Sequence, residues 1–359
     1  MPDAHAHPVQ LVQPDGRRVL DREYAALVAD IGPTDLRAIY DDLVVSRRID
    51  AEATALQRQG QLGLWAPFLG QEAAQVGSAW ALNPDDYVFP SYRETAVAYC
   101  RGVDPIALPR MWRGVGHSGW DPATVNLATP AVVVGAQALH ATGYAFGAKM
   151  DGAEIATVAY FGDGATSQGD IAEALVFASS WSAPVVFFCQ NNQWAISAPV
   201  SIQSSSPIAS RAAGYGIPSI QVDGNDVLGV LAVTRQAVRR ARDGGGPSFI
   251  EAITYRMGPH TTADDPTRYR SSAELELWRT RDPIDRLRRL LDREGHLDED
   301  FLALVAAHAD EVAARLRAAT IDMPSPAPQT MLDHVYATPH RLLDAEREVF
   351  ADSLAGEAQ

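Results

Sequence analysis

Apolar and polar residues change period along this chain, and the changes mark its elements. From Thr34, residues Leu36, Ile39, Tyr40 and Leu43 recur at helical spacing, until Gly60 offers a stop. The stretch VVVGAQALHATGYAFGAKM (132–150) predicts a helix rich in small residues, with Gly135, Gly143 and Gly147 permitting close backbone approach. EIATVAYF (154–161) predicts a strand, and the short apolar run PVVFFC (184–189) predicts another, covered on both faces. A strand at SIQVD (219–223), a helix from Val227 to about Arg242 capped by three glycines, and a strand at SFIEAITYR (248–256) complete the series. Strands alternating with helices predict an α/β fold with a mainly parallel sheet and helices on both faces.

Three regions follow from the same pattern. Residues 1–32 form a polar N-terminal arm with a turn at Pro14-Asp15-Gly16, and residues 33–272 form the α/β domain. Residues 273–359 form a C-terminal helical region expected to pack on it, with amphipathic helices around 282–292 and 299–319. Between sheet and helices lies a polar loop, MGPHTTADDPTRYRSS (257–272). Two long stretches, 123–148 and 174–210, carry no Asp, Glu, Lys or Arg, which predicts faces buried partly against another subunit.

Charge narrows the function. A formal net charge of −15 excludes a nucleic-acid or anionic-membrane partner, either of which needs a basic face. Neither uncharged stretch reads as membrane-spanning, and no secretory signal is visible at the N-terminus, so a cytoplasmic enzyme is expected. Cys100 and Cys189 are the two cysteines and read as core thiols, not a disulfide.

The candidate chemistry lies in YFGDGATSQGD (160–170). It follows a predicted strand and opens a helix, with Asp170 as the expected cap and Glu173 three residues on. In an open parallel sheet such a strand end binds ligands, and a helix N-terminus favours phosphate. The loop has no lysine or arginine, so a metal is the natural bridge to phosphate. Asp163 would ligate Mg²⁺, which takes one or two protein oxygens plus phosphate oxygens. The next strand delivers QNNQWAIS to the same edge and places the Asn192 amide beside Asp163. A tight turn followed by an Asn-rich turn is the plainer reading of the same residues. A Mg-nucleotide module is disfavoured, because the stretch after Phe161 lacks the lysine of a phosphate-binding G-x-x-x-x-G-K-[ST] loop.

The pairing of Gly162-Asp163-Gly164, 26 intervening residues and Asn191-Asn192 resembles the thiamine-diphosphate fingerprint. GQEAAQVGSA (70–79), YRE (92–94), VVGAQ (133–137), GYGIPSIQVDGNDV (214–227) and GPHTTADDPTRYR (258–270) occur around it in family order. Together they resemble the alpha subunit of the decarboxylating component of 2-oxo acid dehydrogenase complexes, over about residues 35–345. The resemblance implies a thiamine-diphosphate-binding fold in its diphosphate-binding half, with additional N- and C-terminal helices. It also implies oxidative decarboxylation of pyruvate or a branched-chain 2-oxo acid (3-methyl-2-oxobutanoate type), with acyl transfer to the lipoyl group of an acyltransferase component. Thiamine diphosphate and Mg²⁺ are the implied cofactors.

Residue by residue, the resemblance makes Asp163 and Asn192 Mg²⁺ ligands through their side chains and Trp194 a ligand through its carbonyl. Gly164 and Ala165 offer N–H groups to the diphosphate, and Tyr92 and Arg93 contact it. Val134 meets the aminopyrimidine ring through its backbone. Gln190 departs from the pattern, standing where many relatives carry an arginine at the diphosphate. His260 is the implied catalytic side chain and also touches the cofactor. Thr261 stands at the position of a regulatory phosphoserine in some relatives. Ala131 and Ala136 stand where a potassium site would need hydroxyls. His117 is a weaker candidate to approach the site, and His140 is expected at an interface.

The carboxylate that activates the cofactor belongs, in this family, to a second sheet domain for which the chain has no room. A separate beta subunit in an α₂β₂ heterotetramer is therefore expected. An acetoin dehydrogenase alpha subunit, or a non-catalytic subunit retaining the cofactor fold, are the alternatives.

Overall fold

The structure, a computed structural model, describes residues 7–333 and 335–357. Its seven strands are β1 Tyr87–Phe89, β2 Thr157–Gly162, β3 Val185–Asn191, β4 Trp194–Ala195, β5 Ala198–Pro199, β6 Ser219–Asp223 and β7 Ser248–Ile253. Five of them form one sheet in the order β1-β2-β3-β7-β6, every neighbouring pair parallel, while β4 and β5 make a separate antiparallel pair. The fold is the expected α/β one.

Side-chain alternation along the strands builds a core on each face. Val158 and Tyr160 of β2 and Val186 and Phe188 of β3 join one cluster with helices Pro33–Arg58, Val227–Arg242 and Pro283–Arg293. Ala159, Phe161, Phe187 and Cys189 join the other, with helices Ala136–Met150 and Gly169–Trp181. Every residue of β3 is buried, which is what a central parallel strand with both faces covered requires. Cys189 is a free thiol in that strand and Cys100 a free, half-buried one.

Strand register sets up the site. Gly162 of β2 lies opposite Gln190 of β3, and Gln190 lies opposite Ala252 of β7. The chain therefore leaves all three strands at nearly one level of one edge.

Several expectations are corrected. The small-residue helix starts at Ala136, not 132, because Gly135 sits at φ 96°, outside any right-handed helix. Asp170 is not a cap: the helix begins at Gly169, Gln168 is its extended N-cap, and Asp170 lies in the first turn. Its carboxylate there still complements the helix dipole. The N-terminal segment makes the expected turn, with Gly16 N donating to Gln13 O at 2.8 Å. It is also more than a polar arm, since Val9, Leu11 and Val12 are buried and Val9 bridges Val222.

By compactness the chain divides into residues 1–320 and 321–359. The second unit consists of the turn Pro328–Leu332 and the helix Arg341–Glu357, joined by an ion pair between Arg347 and Asp333 at 2.7 Å.

Candidate active site

At the edge set by the register, β2 ends and the chain turns through Asp163–Ser167 as a single 3₁₀ segment. Thr166 Oγ1 closes the turn on Asp163 O at 2.7 Å. Gly164 is required there, because a Cβ on it would lie 2.8 Å from Ala195 Cβ. Asp163 is 1% exposed, and Gln203 Nε2 donates to its Oδ2 at 2.9 Å. Burial raises the Asp163 carboxyl above its ordinary range, and the Gln203 hydrogen bond opposes that shift.

From β3 comes Asn192, whose Nδ2 donates to Gln71 Oε1 at 3.1 Å and whose Oδ1 accepts from Trp194 N at 3.3 Å. Beside it, Gln190 Nε2 donates to Glu94 Oε1 at 2.6 Å. Burial pushes the Glu94 carboxyl up, and Ser91 N donates to its other oxygen at 2.6 Å.

The opposite side is a hydrogen-bonded loop. Arg93 Nη1 donates to Pro67 O, and its Nη2 donates to His260 O at 2.9 Å and contacts His260 Nδ1 at 3.2 Å. A guanidinium only donates, so Nδ1 is the acceptor and the neutral imidazole carries its proton on Nε2. Burial, then Arg93 and Arg256, lower the His260 pKa to about 3, so this imidazole is neutral at neutral pH. The loop is pinned by Asp264, whose Oδ2 accepts from His260 N at 2.7 Å and from the Tyr269 hydroxyl. Tyr92 meets the His260 ring edge-on at 6.1 Å.

Arg256, wholly buried at the end of the β7 segment, joins the two sides. Its Nη1 donates to Trp194 O at 2.8 Å, and its Nη2 to Ile196 O at 2.8 Å and to the Tyr269 hydroxyl at 3.0 Å.

One cavity of about 270 Å³ collects these groups. Tyr92, Arg93, Val134, Asp163, Gly164, Ala165, Gln190, Asn192, Trp194 and His260 all line it, and so do Gln71, Glu94, Gln137 and Arg256, which were not singled out as site residues from sequence. Arg256 was accessible to the rule that found Asp163, since it too follows a strand's C-terminal end. Gln71 and Gln137 carried no such signal. His117 is exposed and does not line the cavity, and His140 is exposed on its helix.

The lining fits an anionic cofactor held through a hard cation. Gln71 Nε2, Gln137 Oε1 and Arg256 Nε are buried without a hydrogen-bond partner, so polar groups await one. Among the described residues no cluster of three or more His, Cys, Asp or Glu could hold a metal by itself. Asp163, the Asn192 amide and the second lone pair of the Trp194 carbonyl instead form a sparse oxygen set, suited to an ion that draws its remaining ligands from phosphate.

The profile of the family described as "Dehydrogenase E1 component" matches residues 40–326. The chain is 48% identical over 349 residues to "3-methyl-2-oxobutanoate dehydrogenase subunit alpha" of Mycobacterium tuberculosis, covering 97% of this chain and 94% of that one. It is 41% identical over 294 residues to "Pyruvate dehydrogenase E1 component subunit alpha" of Staphylococcus epidermidis, covering 81% of this chain and 78% of that one. The protein of the same description in Staphylococcus aureus is 42% identical over 276 residues, covering 76% of this chain and 75% of that one.

Proposed function

The chain belongs to the dehydrogenase E1 component family, and we propose that it works on a branched-chain 2-oxo acid of the 3-methyl-2-oxobutanoate type. It is an alpha subunit of a thiamine-diphosphate-dependent 2-oxo acid dehydrogenase, an oxidoreductase. The branched-chain preference rests on the Mycobacterium relative, which matches nearly the whole chain at 48% identity. Pyruvate is the second reading, favoured by the Staphylococcus relatives at 41–42% identity.

The observation that carries the site assignment is the convergence of Asp163, Asn192, Arg93 and His260 on one cavity at a strand edge. Asp163, Asn192 and the Trp194 carbonyl hold Mg²⁺. The Gly164 and Ala165 N–H groups, with Tyr92 and Arg93, hold the diphosphate by charge-assisted hydrogen bonds. Gln190, tied to Glu94, faces that diphosphate without a charge, and Val134 meets the aminopyrimidine through its backbone. Bound thiamine diphosphate supplies the carbanion chemistry. His260, neutral with its proton on Nε2, would offer that N–H as a hydrogen-bond donor to oxygen charge developing during decarboxylation and acyl transfer. Thr261, next to it, offers a hydroxyl whose phosphorylation would place charge against Arg93 and His260.

As an alpha subunit the chain works with a beta subunit. An α₂β₂ heterotetramer, delivering its acyl group to the lipoyl arm of an acyltransferase in the cytoplasm, is the assembly we assign. Two features support a second chain. The described residues contain one sheet besides the two-residue pair β4–β5. Gly143 and Gly147 of helix Ala136–Met150 face open space, with nothing within 4 Å of an added Cβ, so another backbone can approach. No helix of the described residues is long and apolar enough to cross a membrane.

The test is an assay of alpha co-expressed with beta, with thiamine diphosphate and Mg²⁺, comparing 3-methyl-2-oxobutanoate, pyruvate and acetoin. A higher kcat/KM for the branched acid is expected. The branched acid carries two carbons more than pyruvate, and one methylene in an apolar pocket already sets a difference of about 10–200-fold. A preference for pyruvate or acetoin overturns the substrate assignment. Full activity of alpha alone overturns the need for beta.

A further inference from the structure

Asp50 is a buried carboxylate outside the cavity, 4% exposed, on the helix Pro33–Arg58. No lysine or arginine forms an ion pair with it among the described residues. Instead its Oδ1 accepts from Trp65 Nε1 at 2.7 Å, and Phe68 N donates to its two oxygens at 3.3 and 3.2 Å. The segment it fastens, residues 65–69, has no regular structure. That segment's backbone nonetheless grips the site at three points. Trp65 O accepts from Thr262 N at 2.9 Å, and Trp65 N donates back to Thr262 Oγ1 at 3.1 Å. Pro67 O accepts from Arg93 Nη1, the group whose Nη2 holds His260. Leu69 O accepts from Met257 N at 2.9 Å, at the start of the His260 loop.

We infer that Asp50 is a positioning residue for the active site: it fixes the 65–68 backbone, and that backbone sets both the Arg93 guanidinium and the loop carrying His260. It touches neither substrate nor cofactor. The inference rests on the reading of Arg93 and His260 as site residues. An irregular segment has no ladder of its own to hold its carbonyls in place, so a side chain must supply the anchor. Asp50 does so with three hydrogen bonds from two donors on that segment. A carboxylate accepts at both oxygens, whereas an amide would turn an N–H₂ toward one of those donors. The charges that bear on Asp50 from packed elements are Glu72, which raises its pKa, and Arg93, which lowers it; burial outweighs both. Glu72 is itself paired with Arg47 at 2.9 Å.

The same helix provides a matched control. Asp42 Oδ2 accepts from Trp80 Nε1 at 2.7 Å, the same chemistry, but Trp80 caps the helix Glu72–Ala79 and, unlike Trp65, has no hydrogen bond to the His260 loop among the described residues. Asp50→Asn and Trp65→Phe are compared with Asp42→Asn and Trp80→Phe in the alpha–beta enzyme. Three quantities are read: melting temperature, the rate of tryptic cleavage at Arg268 without cofactor, and kcat at saturating cofactor. All four variants are expected to lose thermal stability. Asp50→Asn and Trp65→Phe are expected to be cleaved at least about fivefold faster and to lose about tenfold in kcat, in the range seen when an outer support of a site is removed. Asp42→Asn and Trp80→Phe are expected to stay within about twofold of the parent in both. If the two pairs behave alike at equal loss of melting temperature, the role of Asp50 is structural only and the inference falls. Should Asp50→Asn fail to fold, Trp65→Phe, which removes one donor and keeps the ring, decides alone. Because cleavage is read without cofactor, the two failures are distinguishable: an enzyme inactive on every substrate sinks the functional reading and the positioning role with it, whereas unchanged cleavage and kcat in an active enzyme sink the positioning role alone.

Discussion

The two sides of the cavity are built by different means. The Asp163–Asn192 side is the end of a parallel sheet, where register puts Gly162 and Gln190 abreast and buried strands on both faces hold them. The His260 side is a loop, held by side chains that reach across the fold: Arg93 to Pro67, Asp264 to His260 N, Arg256 to Trp194 O. A strand end fixes geometry through the backbone, so a substitution there removes one ligand and leaves the frame. A network fixes geometry through contacts that fail together, so one loss spreads.

The largest effect that would test this contrast is at the rigid side. Asp163→Ala is expected to lower activity by about 10³-fold or more, since the cation contributes several kcal/mol of charge stabilisation. Melting temperature should stay near the parent's, because the sheet does not depend on Asp163. An activity within tenfold would show that Asp163 does not hold the metal.

On the loop side, His260→Ala should reduce kcat by about 10²-fold while cofactor affinity changes little. A fall confined to cofactor affinity would assign His260 to binding instead. Smaller again is Gly164→Ala, whose new Cβ would sit 2.8 Å from Ala195 Cβ. The forced shift at the cradle should weaken cofactor binding about tenfold, at the low end of overpacking costs, and calorimetric titration would read it. Retained affinity would mean that the β4 segment yields more readily than a strand-edge frame should.

The mildest effect is a titration. With its pKa lowered to about 3, folded His260 stays neutral while the unfolded chain takes up a proton near pH 6.5. Its contribution to stability is therefore present above pH 6.5 and is lost as pH falls from there toward about 3. The His260 ring resonances should show no protonation step between pH 8 and 5. A midpoint near 6.5 would mean that the Arg93 contact is not held in solution.

The contrast also explains what the sequence disclosed. Strand β6 and the helix Val227–Arg242 match their expected limits because apolar period and glycine punctuation act locally. Asp163 and Asn192 were legible because each follows an apolar run by one or a few residues. β1 was not: three residues carry no period, and it forms by pairing with β2. Asp170 misled because a cap is decided by where the helix actually turns, and the 3₁₀ segment through Ser167 moved that point to Gln168. Gln203, Glu94 and Asp50 escaped notice because their partners lie 40, 96 and 15–18 residues away, and nothing in a linear pattern links such positions.

Arg256 ties the two sides to one side chain. Its guanidinium donates to the Trp194 and Ile196 carbonyls on one side and to the Tyr269 hydroxyl on the other, so a shift of either wall costs hydrogen bonds made by the same group. Removing that one guanidinium would therefore loosen both walls at once.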